Sequence, residues 1–125
     1  MPVALDESLV GMEPEALEGH LYARAVVLKP TLLGGVLRTL CFARRASRLG
    51  IKPVISSAYE TGIGTAALVA LAAGVGEGEV PAGLDTYRRL AGDVLRPRLD
   101  LPAPRVDVRA GTRREIDARL LSPVG

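Results

Sequence analysis

Ala25-Val26-Val27-Leu28 is a run of four apolar residues, two of them β-branched, closed at once by Lys29 and Pro30. A strand that is apolar at consecutive positions, rather than at alternate ones, is buried on both faces, as in parallel sheets covered by helices. The run therefore points to a layered α/β fold. It also sets a lysine at the end of a buried strand, where an ammonium is costly to desolvate unless a carboxylate faces it.

The neighbouring segments repeat the pattern. Residues 2–5 are a short apolar strand ending at Asp6-Glu7-Ser8, and residues 13–22 read as a helix with Leu17 and Leu21 on one face. After the strand at 24–29, residues 32–49 read as a helix. Leu33, Val36, Leu37, Leu40, Cys41 and Phe42 form its apolar side, Arg38, Arg44, Arg45 and Arg48 its solvated side, and Gly50 its end. Residues 52–57 are a third strand, 61–73 an alanine-rich helix, and 82–86 a very short fourth strand. Residues 96–104 read as extended, 105–109 as a last strand and 112–121 as a short helix. Strands and helices alternate through short loops, which predicts parallel strands with right-handed crossovers and outer helices. Residues 1–95 form this βα unit and 96–125 a tail.

Other classes fall away on composition. Sixteen basic residues face fourteen acidic ones, interleaved along the chain, and only 3% of residues are aromatic. Neither a concentrated basic surface nor a base-stacking platform is present, so no nucleic-acid partner is expected. The longest uncharged stretch, residues 61–76, is too short and glycine-containing for a membrane span. The single cysteine, Cys41, excludes an intrachain disulfide and reads as a small core filler. With no secretory leader in the pattern, a reducing cytoplasmic setting is expected. Neither a G-x-G-x-x-G fingerprint nor a phosphate-binding loop occurs, which sets dinucleotide and phosphoryl chemistry aside.

The informative feature is where polar residues sit. Asp6, Lys29 and the pair Ser56-Ser57 each end a predicted strand, with Glu60 just after the third. In parallel α/β folds the C-terminal strand ends converge on the active site. Each residue alone has a plain structural explanation: a solvated strand end for Lys29, turn capping for Asp6 and Ser8, satisfied backbone groups for the serines. Three on one rim point to a site. His20, inside a predicted helix with no partner nearby in sequence, reads as a surface residue.

Taken together, Ala4-Leu5-Asp6-Glu7-Ser8-Leu9, Ala25-Val26-Val27-Leu28-Lys29-Pro30-Thr31, Val54-Ile55-Ser56-Ser57-Ala58-Tyr59-Glu60-Thr61 and Gly83-Leu84-Asp85-Thr86 resemble the o-succinylbenzoate synthase family of the enolase superfamily. The resemblance implies a (βα) TIM-type barrel, of which this chain would be the C-terminal part, strands five to eight. It implies Mg²⁺-dependent dehydration of a small-molecule substrate, succinyl-hydroxycyclohexadiene-carboxylate, in menaquinone biosynthesis. Asp6 then matches the third of three carboxylate ligands of Mg²⁺. Lys29 matches one of two lysines facing each other across the substrate. Ser56 and Gly83 match contacts to the succinyl carboxylate, with Ser57, Glu60 and Asp85 in supporting roles.

The same resemblance implies that the base lysine and two metal carboxylates lie outside this chain. The partner expected is therefore the missing N-terminal portion of the barrel, or a second copy meeting the first through open strand edges. Three other readings stay open: a racemase or dipeptide epimerase of the same superfamily, a Schiff-base enzyme with Lys29 as nucleophile, and a non-catalytic half-barrel.

Overall fold

A computed structural model describes residues 1–76, 80–101, 105–111 and 114–122. β1 (Val3–Leu5), β2 (Ala23–Leu28) and β3 (Lys52–Ile55) form one parallel sheet in the order β1-β2-β3. Leu5 is register-paired with Val26, and Leu28 with Ile55. Beyond β3 the expected fourth strand at 82–86 is reduced to one parallel bridge between Ser56 and Gly83, followed by a 3₁₀ turn at Asp85–Arg89. Pro81 and Gly83 account for this: one lacks a ladder donor and the other a side chain to pack. Pro53 likewise falls where, among the described residues, β3 has β2 on one side only.

The β2 run is buried on one face rather than both: Ala25 and Val27 are half-exposed, because the described helices cover only the face of Val26 and Leu28. Val26 and Leu28 are fully buried, and with Leu5 and Ile55 they meet Leu9, Leu17, Phe42, Ala46 and Leu68 in one core. The outer layer is α2 (Val36–Arg48) and α3 (Gly62–Val75). Residues 32–49 are not one helix. A single turn, α1 (Pro30–Leu33), ends at Gly34 and Gly35, whose φ values of +92° and +107° suit glycine and interrupt the hydrogen-bond ladder.

The break resets the helical phase. α2 buries Thr39, Phe42, Ala43 and Ala46, while Leu37 is 79% exposed and Cys41 lies in solvent rather than in the core. Residues 13–22 also differ from expectation. They form a 3₁₀ helix, Pro14–His20, that buries only Pro14 and Leu17 and leaves Leu21 exposed. His20 does have a partner, the Tyr22 hydroxyl at 2.9 Å.

In the tail, 105–109 is not a strand but leads into a 3₁₀ turn at Val108–Gly111. The helix expected over 112–121 is replaced by β5 (Glu115–Ile116), antiparallel to β4 (Leu95–Arg96), and a 3₁₀ turn at Ala118–Leu120; residues 112 and 113 lie outside the described residues. Here Ile116 opposes Leu95 and Glu115 opposes Arg96, a cross-strand match that a helix would forgo. Of the stretch read as extended, Leu99 and Leu101 pack with Val69, Tyr87 and Leu95 in a second core.

A buried carboxylate ties the start of α3 to the second core. Asp93 accepts the Gly62 N–H at 2.7 Å, capping α3 where Thr61 gives no side-chain cap, and accepts the Tyr87 hydroxyl at 2.6 Å. Tyr87 in turn accepts the Leu99 N–H at 3.1 Å. Burial opposes the Asp93 anion, but hydrogen bonds from Tyr87 and from the Gly62, Val94 and Leu95 amides outweigh it and hold its pKa below the ordinary carboxylate value.

Candidate functional site at the C-terminal strand ends

The parallel sheet brings the expected strand-end residues to one edge. Asp6 follows β1, Lys29 follows β2, and Ser56 follows β3, with the Ser56 N–H donating to Leu28 O at 2.9 Å beside Lys29. The Lys29 ammonium lies between both oxygens of Asp6, at 2.9 Å from Oδ1 and 3.0 Å from Oδ2. The lysine side chain is 19% exposed and the aspartate 44%. A half-buried pair with two contacts offsets the desolvation of an ammonium at the end of an apolar strand. Lys29 also starts α1: its carbonyl accepts the N–H groups of Leu32 and Leu33, and Pro30 occupies the first helical position, where no donor is needed.

The serine pair divides its work. Ser57 is buried, and its hydroxyl contacts Gly83 O at 3.0 Å and Thr86 Oγ1 at 2.6 Å, which makes it a tie between loops. Ser56 is half-exposed and donates to the same Gly83 carbonyl at 3.1 Å. The Gly83 N–H is engaged with Ile55 O and is not a free donor. A Cβ at Gly83 would stand 2.8 Å from Ser56 Oγ.

Asp85 turns to Arg88 on the surface, at 3.3 Å. Glu60 is bound on both oxygens, by the Thr31 hydroxyl at 2.7 Å and the Ala58 N–H at 2.6 Å. Thr31 and Thr86 are rim residues that sequence reasoning passed over, although both lie within the motifs Lys-Pro-Thr and Gly-Leu-Asp-Thr. Asp93 carried no signal at all, since its partners Gly62, Tyr87 and Leu99 form no sequence motif.

Mg²⁺ requires a near-octahedral shell of oxygens, usually with more than one anionic ligand or a phosphate. Asp6 is one carboxylate, already filled by an ammonium, and no group of three metal-ligating side chains occurs among the described residues. These residues alone do not make a magnesium site. Among the described residues, no helix is long and apolar enough to cross a membrane.

No family profile matches the chain. It is 41% identical over 123 residues to the o-succinylbenzoate synthase of Thermobifida fusca, covering 94% of this chain and 38% of that protein. Against the o-succinylbenzoate synthases of Yersinia pseudotuberculosis and Vibrio cholerae it is 38% identical over 104 and 105 residues, covering 82% of the chain and 31% and 30% of theirs. Among solved structures, a probable mandelate racemase from Alicyclobacillus acidocaldarius superposes with a TM-score of 0.63 at 28% identity, over 90% of this chain and 33% of that one. The chain thus spans about a third of the length of the curated relatives it matches.

Proposed function

We propose, on the premise that this chain is homologous to part of the o-succinylbenzoate synthases and carries part of the (βα) barrel of the enolase superfamily, that it supplies strands five to eight of such an enzyme. The reaction would be the Mg²⁺-dependent dehydration of succinyl-hydroxycyclohexadiene-carboxylate to o-succinylbenzoate, a step of menaquinone biosynthesis. The observation that carries this reading is the Asp6–Lys29 pair at the strand ends, beside the Ser56–Gly83 bridge.

The chemistry asked of these residues is specific. Loss of a proton α to a carboxylate builds negative charge on the carboxylate oxygens, and a preorganised cation is worth most where water is excluded. Lys29, 19% exposed and held by Asp6, is the cation this chain offers. The Ser56 hydroxyl would turn from Gly83 O and donate to the succinyl carboxylate, with no Gly83 side chain to crowd it. Asp6 is the one carboxylate this chain would contribute to the metal. The proton-abstracting lysine and the remaining ligands would come from outside it.

Racemisation is a second reading, favoured by the structural match to a probable mandelate racemase. The two share proton abstraction and differ in fate, since one expels water and the other returns the proton.

Mixing the chain with a polypeptide that carries the rest of the barrel from the Thermobifida fusca enzyme, and following the aromatic product by ultraviolet absorbance with Mg²⁺ present, tests the proposal. Product from the mixture and none from either part is the expected result. Solvent-deuterium incorporation into a succinylamino acid without dehydration of the synthase substrate would favour the racemase.

A further inference from the structure

Glu60 stands apart from the residues assigned to substrate or metal, yet both turns of the rim meet on its carboxylate. Oε1 accepts from Thr31, two residues after Lys29, and Oε2 accepts the Ala58 N–H, two residues after Ser56. One side chain thereby ties the turn after β2 to the turn after β3, across 29 residues of sequence.

The second turn needs holding. Tyr59 sits at φ +65°, a left-handed conformation that a bulky residue adopts only where its surroundings impose it. Its neighbours supply the constraint: the Ala58 N–H into Glu60 on one side, and a long 3.4 Å contact from the Tyr59 N–H to Thr86 Oγ1 on the other. The first turn of α3 makes room for the strap. A Cβ at Gly64 would stand 2.7 Å from Glu60 Cβ and 3.1 Å from its Cγ. A merely solvated glutamate would need neither two protein donors nor a glycine behind its stem.

We propose that Glu60 is a positioning residue: its carboxylate fixes the Lys29 turn against the Ser56 turn, setting the gap in which the substrate would lie. The proposal rests on the reading that Lys29 and Ser56 face one ligand, but its test needs neither ligand nor metal.

The chain has two lysines, Lys29 and Lys52, one just past the end of β2 and the other at the start of β3. Lysine-selective ¹³C labelling therefore gives two sets of side-chain signals, told apart with Lys52→Arg. In Glu60→Ala the Lys29 signal should shift or broaden while that of Lys52 stays in place, and Thr31→Val should reproduce the effect. Glu60→Gln should restore the native position, because an amide accepts from Ala58 N–H and donates to Thr31 Oγ1.

A Lys29 signal unmoved in Glu60→Ala and Thr31→Val, with Lys52 native, overturns the proposal. So does a shift that Glu60→Gln fails to correct, which would assign the effect to charge. If Glu60→Ala unfolds, both lysine signals move together, and Thr31→Val, which removes only an exposed hydroxyl, decides. An inactive barrel mixture would count against the proposed function and leave these signals unaffected.

Discussion

Gly62 and Gly83 both lie against another side chain, and they predict different losses on substitution. A Cβ at Gly62 would overlap the Asp93 carboxylate and stand 2.8 Å from Leu95 Cδ1, and Asp93 is held in place by Tyr87. Gly62→Ala should lower stability by roughly 2 kcal/mol in urea unfolding, as overpacking of a fixed site does. At Gly83 the obstacle is Ser56 Oγ, the end of a side chain that can rotate. Gly83→Ala should lower stability by less than about 1 kcal/mol. Equal losses at the two positions would contradict this account.

Asp93 adds a pH dependence. Its folded-state pKa lies below the ordinary carboxylate value, so it contributes stability that is present above that value and lost as pH falls through the folded one. The urea midpoints of wild type and Asp93→Asn should be well separated at about pH 6 and converge toward about pH 2. A gap that stays constant contradicts the assignment. Lys29 and Asp6 were legible in the sequence because a charged residue directly after a buried strand is conspicuous. Asp93 was not, because its role is defined by Gly62, 31 residues away, and by Tyr87 and Leu99.

Among the elements, β2 was the most legible and α2 the least. Consecutive apolar residues marked β2 as a strand of a parallel sheet, although only the face of Val26 and Leu28 is fully buried here and that of Ala25 and Val27 is half-exposed. Apolar residues on a helix fix a face only if the helix is continuous, and Gly34-Gly35 breaks the phase before Val36. Leu37 and Phe42 should therefore respond in opposite ways. Leu37→Ala, at a 79% exposed position, should change stability by less than about 0.5 kcal/mol, and Phe42→Ala, fully buried, should lower it by about 3–5 kcal/mol. A large loss at Leu37 would mean that another surface covers it. The tail was misread for a related reason. Two-residue strands such as β4 and β5 are made by pairing between residues distant in sequence and leave no periodicity to read.

For the whole molecule, the rim is incomplete among the described residues: Asp6 as the one candidate metal carboxylate, Lys29, and a half-exposed Ser56, where the proposed chemistry needs a base and further metal ligands. Among the described residues β1 pairs with β2 alone, and Val3 is 38% exposed. This edge is where a further barrel strand would add. In the proposed reaction Lys29 acts on the substrate rather than merely ending a strand. The most direct test of this role is kcat for the dehydration, measured on the chain completed by the rest of the barrel, with Lys29 and with Lys29→Ala. The expected loss is about 10²–10⁴-fold or more with an unchanged urea midpoint, as for removal of a charge that stabilises the transition state. A variant that keeps more than about a tenth of the rate would contradict it and leave Lys29 a structural partner of Asp6.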